Sequence, residues 1–419
     1  MTSPPLPDAP VPPYISWTKD GVQQIHHAVG SVDEATLTDD PTGTYQLVSP
    51  HTIPLSQVLD DNAPVSSYQS LKESIRRGRI HGSKTKQYPK LHWGQRKLLL
   101  SEVDFFVRVL AHSDAPALVV YPGAAGGRHL LFLMDLFPNV QFDVYDPAPV
   151  GWDVGLMAYA QEPNSRVRIN PPPAPSGWFS DEAARSYQPG GENYEEAVKD
   201  NRRLFLISDI RCFDATTVTG AWRQSFLAQA SVEMAMQARW VHTMRPDYAL
   251  LKFKLQYPFP GSHAFQRYLK GTVLCQCWPP TPSTETRLLV SRQDTSAPQP
   301  DVMWNLPVFH AKIDYVNSVL RVADLSHACL PGTLTRVPLG AIWQPFRLAV
   351  VGFDAFVEAD IWRRYLQHTG AHVTVERIQA LIARCCRRLL LLSKFPVTES
   401  FHRRLDFYRP GDSVRTYDR

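Results

Sequence analysis

The residues with chemical potential in this chain are four ionisable side chains set in apolar surroundings. Lys252 lies inside the run ALLKFKL, Asp209 closes LISDIR, Glu285 opens ETRLLV, and Lys97 sits in GQRKLLL. Lysines are almost never fully buried unless paired. Lys252 therefore needs a carboxylate partner, and Asp209 and Glu285 are both available. An amine flanked by carboxylates at the end of a sheet is a group that can take up or release a proton. Each residue also has a plainer reading: Lys252 as an outward-facing strand lysine, Asp209 as a turn or cap residue, Glu285 as an exposed charge, and Lys97 as one member of a basic helix face.

A second constellation is VVYPGAAGGRH, which runs from an apolar strand through a glycine turn into a helix. Glycine removes the Cβ so that backbone can approach a ligand, and a helix start offers free N–H groups. Asp146 ends the next strand, where a carboxylate can hold ribose hydroxyls. This layout serves both NAD and S-adenosylmethionine, and a tight structural turn would also account for the glycines. Gly123, Gly126 and Gly127 do not spell G-x-G-x-x-G, and the segment is not a phosphate loop of the G-x-x-x-x-G-K-[ST] kind.

The elements that must position these residues follow from hydrophobic spacing. Helical periodicity covers Gln95–Leu110, His129–Phe137, Ser225–Met244 and Arg377–Leu392, and Phe265–Leu269 reads as the start of another helix. Short apolar runs predict strands at Ala117–Tyr121, Gln141–Tyr145, Arg203–Ser208, Tyr248–Leu255, Thr272–Cys277 and Arg287–Ser291. Strands alternating with helices predict an α/β fold with a doubly wound parallel sheet. Residues 151–203 are polar and broken by Pro and Gly, and read as a loop-rich crossover. From Asp314 onward the pattern is mainly helical. The 36 prolines cluster at Pro4–Pro13, Pro171–Pro175, Pro279–Pro282 and Pro298–Pro307. The first cluster opens an N-terminal arm, and the others read as loops. We divide the 419 residues into a Pro-rich acidic arm (1–65), a central catalytic domain that starts with a basic helix (66–320) and a helical basic extension (321–419).

Net charge is only +4, but its distribution is uneven. Residues 1–63 carry eight acids against Lys19. Residues 70–100 carry nine bases, among them Arg76, Arg77, Lys84, Lys86, Arg96 and Lys97, against Glu73. Residues 376–419 carry ten bases against five acids. Two basic segments are the footprint expected for a polyanionic partner, or else a solvated surface with its own acidic counterpart. No run approaches the roughly 18 apolar residues of a spanning helix, which argues against a membrane protein. Met1–Pro13 lacks the apolar centre of a secretory leader. Six cysteines without a C-x-x-C pair argue against a zinc finger or disulfide scaffold and fit a reducing compartment.

The run GQRKLLLSE…FF, then VVYPGAAGGRH, ISDIR, LK followed closely by PFP, and E-x-RLL resembles the poxvirus cap-specific mRNA 2′-O-methyltransferase family, whose members double as the poly(A) polymerase small subunit. Order and spacing agree over roughly residues 91–320. A eukaryotic branch with similar sequences serves the hypermethylated cap of kinetoplastid spliced-leader RNA, and the long arm and basic extension favour that branch. The resemblance implies a Rossmann-like, S-adenosylmethionine-dependent methyltransferase sheet with helices on both faces. It implies a catalytic tetrad of Lys97, Asp209, Lys252 and Glu285. It implies S-adenosylmethionine contacts at Gln95, Tyr121, Gly123, Gly127, His129, Asp146 and Asp209, and cap stacking by Phe259. A capped RNA partner and a nuclear location follow from the same likeness. Departures are present. Gly126 replaces the family's Pro, and Ala148 replaces an Arg beyond the ribose-binding acid. Gly261 or Ser262 and His310 stand where two cap-reading acids occur, and Gln256 and Tyr257 are extra. Methyl transfer is thus better supported than viral-style cap reading.

With that resemblance, Lys252 becomes the base for a ribose hydroxyl, Lys97 the cation that steadies the alkoxide, and Asp209 and Glu285 the orienting groups. An ordinary lysine pKa of about 10.4 must come down to about 7–8, which costs roughly 3–4 kcal/mol at about 1.36 per unit. Desolvation and a second cation push that way, and two carboxylates push the other. No metal is required and none is expected. Arg76, Arg77, Lys84, Lys86 and the basic tail would hold RNA phosphates, with Trp178 or Tyr257 as further stacking candidates against their commoner role in cores. The alternatives are a non-catalytic RNA-binding or polymerase-accessory subunit, a 2′-O-methyltransferase of ribosomal or transfer RNA, and an NAD-dependent oxidoreductase. The last lacks its glycine fingerprint.

Overall fold

The computed structural model describes the strand pair Tyr14–Trp17 (β1) and Gln23–His26 (β2), and residues 94–391 apart from 113, 148–150, 171–178, 211–221, 257–264, 280–282, 298–299, 307–308, most of 311–337, and 347–350. The chain divides into two compact units. One comprises Ser101–Gln276 and Thr284–Phe309, and the other Met1–Leu100, Cys277–Ser283 and His310–Arg419.

The first unit is built on a seven-stranded, mostly parallel sheet with helices on both sides, a Rossmann-like methyltransferase fold. In chain order its strands are β3 (Ala117–Pro122), β4 (Val140–Tyr145), β5 (Val167–Ile169), β6 (Arg203–Ser208), β7 (Tyr248–Phe253), β9 (Thr272–Leu274) and β10 (Thr286–Ser291). Their spatial order is β5-β4-β3-β6-β7-β10-β9, parallel from β5 to β7, with β10 antiparallel to β7 and to β9. The five inner strands are buried along nearly their whole length, which is why they read as predominantly apolar runs. The chain winds one way from β3 to β4 and β5, then returns to place β6 on the other side of β3. That reversal opens a crevice at the carboxyl ends of β3 and β6.

Helix α1 (Gly94–Val109) supplies Phe105 and Phe106 to the core. There they meet Phe205, Phe137 and Phe142 with ring centroids 4.9–6.2 Å apart. The described residues of 151–203 hold more secondary structure than their composition suggests. They hold α3 (Val154–Ala160), strand β5, α4 (Asp181–Ser186) and α5 (Tyr194–Val198), after α2 (Leu130–Leu136). Tyr187, just past α4, donates to Asp143 of β4 at 2.7 Å and shares a 2.8 Å hydrogen bond with Tyr145, which ties the insertion to the sheet. Burial pushes the Tyr145 hydroxyl up to about 12, so the network is neutral at its phenols.

One sequence expectation fails. Phe265–Leu269 is not a helix start but strand β8, paired antiparallel with β11 (Asp301–Asn305). Its partner lies some thirty residues downstream, where no local pattern reveals it. The long helix α6 (Trp222–Met244) follows β6, and α7 (Arg292–Ser296) follows β10 behind a capping box from Ser291 and Asp294.

Besides the antiparallel pair β1–β2, the second unit holds the helices α8 (Leu339–Trp343), α9 (Phe353–His368) and α10 (Val375–Leu391). Helix α9 is buried on nearly every face, including its acids. Glu358 is enclosed by three donors: Arg96 Nη2 at 2.6 Å, Trp278 Nε1 at 2.6 Å and Trp362 Nε1 at 3.3 Å. The Arg96 guanidinium also lies over the Trp278 ring, 5.2 Å from its centroid. Arg96 therefore serves the core of this unit and is withdrawn from the basic footprint that its sequence position suggested.

Candidate active site at the carboxyl edge of the sheet

The sheet brings three of the four predicted catalytic residues together. Asp209 directly follows β6, Lys252 is the penultimate residue of β7, and Glu285 directly precedes β10. Because β10 is antiparallel to β7, its start lies at the end of β7, so all three reach one edge. The Lys252 Nζ stands 3.0 Å from Asp209 Oδ1 and 3.8 Å from Glu285 Oε2. Lys252 is 8% exposed, so the amine is withdrawn from bulk water yet still accessible. This is the carboxylate pairing that an apolar lysine demands.

Sequence reasoning quoted Arg287 only as part of E-x-RLL and gave it no role. In the structure Arg287 is directly opposite Lys252 in the β7–β10 pairing, on the same face of the sheet. Its Nη1 donates to Asp209 Oδ1 at 2.8 Å, the oxygen that also holds Lys252. It is 2% exposed, and its Nε and Nη2 find no hydrogen-bond partner among the described residues. Burial works against its charge. The Asp209 and Glu285 carboxylates outweigh that and hold Arg287 more firmly protonated than an ordinary arginine. The available signal was an arginine alternating with apolar residues in a buried strand, which needs an acid at the same level.

Asp209 is fixed on its other side by the glycine turn. Its N–H donates to Pro122 O at 3.1 Å, and Gly123 has φ +85°. A Cβ at Gly123 would stand 2.6 Å from the Asp209 carbonyl carbon and the Ile210 nitrogen. The glycine is thus required by the chain's own crossing at the switch point. Gly127, at φ +69°, lies similarly close to the Leu156 side chain of α3. Asp146 follows β4, and its Oδ2 accepts the Ala125 N–H at 2.9 Å, holding the turn beside a carboxylate that is partly exposed. A partly exposed carboxylate just past the carboxyl end of β4 stands where open α/β sheets hold the sugar of a nucleoside.

Tyr121 and His129 are fully buried. Both pair with Glu102 of α1: Tyr121 donates to Oε1 at 2.5 Å, and His129 Nε2 lies 2.9 Å from the same oxygen. Burial, reinforced by Glu102, pushes the Tyr121 hydroxyl well up, so it remains a donor. In this arrangement the two side chains brace the turn from behind. Glu102 escaped sequence reasoning because its partners are 19 and 27 residues away.

Lys97 is buried, 8% exposed, in the first turn of α1, and Gln95 is half-buried two residues before it; both belong to the helical unit. His310, also in that unit, is buried. Phe259, Arg76, Arg77, Lys84, Lys86, Trp178, Tyr257, Ala148, Gly261 and Ser262 lie outside the described residues. On α10, Arg377, Arg384 and Arg387 are exposed. No group of His, Cys, Asp or Glu among the described residues could hold a metal ion, and no described helix is long and apolar enough to cross a membrane.

No curated protein matches the chain. A model of the poly A polymerase regulatory subunit family matches residues 191–327, about a third of the sequence, and this span includes Asp209, Lys252, Glu285 and Arg287.

Proposed function

We propose that the protein is an S-adenosylmethionine-dependent RNA 2′-O-ribose methyltransferase acting on nucleotides near the 5′ cap of mRNA or spliced-leader RNA. One observation carries the reading: a buried amine, Lys252, held at 3.0 Å by Asp209 beside the glycine turn at the sheet's switch point. S-adenosylmethionine supplies a methyl group made electrophilic by its positive sulfur. Asp146 would hold its ribose hydroxyls, with the backbone of Gly123 and Gly127 alongside. Lys252 Nζ takes the proton of the substrate 2′-hydroxyl. Asp209 and Glu285 direct the amine, and Arg287 offsets the Asp209 charge so that the carboxylates orient Lys252 without locking it as an ammonium. Lys97 is the cation that steadies the developing alkoxide. Phe259 stacks on the cap, and Arg76, Arg77, Lys84 and Lys86 hold phosphates. The enzyme then works where capped RNA is made, in the nucleus.

The test is methyl transfer to short capped and uncapped RNAs with the product nucleotide mapped. Lys252→Ala abolishes transfer and keeps S-adenosylmethionine binding; wild-type turnover in that variant removes Lys252 from the role. A second reading, a polymerase-accessory subunit, is favoured by the family matched at residues 191–327. It predicts RNA binding without turnover in the wild type.

A further inference from the structure

The β6–β7 pairing ends at Ser208–Leu251, one residue short of Lys252. Past that point Asp209 turns its N–H to Pro122 of β3, so the two strands part where the amine is carried. The parting deprives the Lys252 main chain of a strand neighbour on that side. Buried peptide groups are rarely left unpaired. The missing neighbour is a side chain. Gln237 of α6, 1% exposed, accepts the Lys252 N–H on Oε1 at 3.1 Å and donates its Nε2 to the Lys252 carbonyl at 3.1 Å. The amide thus does for one residue what a sheet neighbour does for its partner. Both bonds face away from β10. Lys252 and Arg287 are therefore a non-hydrogen-bonded antiparallel pair, the kind in which facing side chains lie closest.

We infer that Gln237 is the positioning residue for Lys252: its side-chain amide replaces the missing strand and fixes the backbone from which the amine reaches Asp209 and the substrate. The inference rests on the methyl-transfer reading for its consequence and on geometry alone for the hold itself. No other neutral side chain does both jobs at this length. The main chain offers one donor and one acceptor, and a glutamine amide presents the complement in one plane. Glutamate can mimic this only when protonated, because only then does it keep a donor for the carbonyl.

The experiment compares wild type with Gln237→Leu and Gln237→Glu, with thermal melting of each as the folding control. Gln237→Leu lowers kcat about 10–100-fold, the scale set by misplacing a reacting group by about an ångström. S-adenosylmethionine affinity and the RNA KM stay within about twofold. Gln237→Glu, relative to wild type at each pH, is most active in acid and falls as the pH rises, whereas the Leu variant's ratio is flat. Hydrogen exchange at the Lys252 amide quickens in Gln237→Leu relative to Leu250. Wild-type kcat in Gln237→Leu, or unchanged Lys252 exchange, overturns the inference. A wild type without methyl transfer overturns the methyltransferase reading instead, and the exchange result still decides the hold.

Discussion

Replacing Arg287 by Met tests whether a fixed cation divides the Asp209 charge and so keeps the carboxylates from immobilising the Lys252 amine. The Arg287 Nη1 and Lys252 Nζ lie 2.8 and 3.0 Å from one Asp209 oxygen. They are therefore no more than about 5.8 Å apart, the two bonds laid end to end. At an effective dielectric of about 20, two unit charges at about 5.8 Å repel by about 3 kcal/mol. That repulsion loosens the amine from the shared oxygen, and at about 1.36 kcal/mol per tenfold it corresponds to about 100-fold in rate. On the proposed methyl-transfer reading, kcat should therefore fall by up to about 100-fold in Arg287→Met, and Arg287→Lys, which keeps a charge, should lose less. The substitution also takes the 2.8 Å bond from Asp209, so the melting temperature should drop, by less than for a carboxylate left alone because Lys252 still stands 3.0 Å from the same oxygen. The assay is steady-state transfer to capped RNA at one fixed pH, with melting as control. Wild-type kcat in Arg287→Met refutes the charge-offset argument.

Gly123→Ala puts a Cβ 2.6 Å from the Asp209 main chain at φ +85°, so both methyl transfer and the melting temperature should drop, and a Gly126→Ala control should not displace Asp209 in a structure of the variant. Glu358→Gln leaves Arg96 buried without its counter-charge, so chemical denaturation should report a loss of about 3–5 kcal/mol. If α10 tracks RNA phosphates, capped-RNA affinity should fall with salt. The combined Arg377→Glu, Arg384→Glu and Arg387→Glu variant should then flatten the log–log slope by about 2, roughly 0.7 for each phosphate no longer neutralised. An unaltered slope removes α10 from the RNA path.

The inner sheet was legible because burial on both faces makes β3, β4, β6, β7 and β10 mostly apolar runs, each broken by at most a few polar residues. The meeting of Lys252 with Asp209 and Glu285 was legible for a related reason: a lysine among Leu and Phe must find an acid, and only strand ends offered one. What escaped has no local trace. Strand β5 is three residues with Arg168 in the middle, and it exists because β4 presents an open edge to it. FQRYL became a strand through pairing with DVMWN, a partner chosen by the fold. Gln237 sits in a helix of mixed character, and nothing in its neighbours announces that its amide stands in for a strand.

A lysine base makes two demands that conflict. It must be aimed, which calls for carboxylates, and it must surrender its proton, which carboxylates oppose. The arrangement around Asp209 reconciles them through shared geometry. One carboxylate oxygen serves both Lys252 and Arg287, so its charge is divided between a base and a permanent cation. The same residue's main chain is bonded to Pro122 and lies against Gly123, so the aim of the amine is set by the turn that flanks the nucleoside crevice. A shift of that turn moves Asp209, and Asp209 moves Lys252. On the methyl-transfer reading, a nucleoside seated at the turn and a base at the amine would be joined through that one residue, which is what a transfer between two substrates on one sheet edge requires.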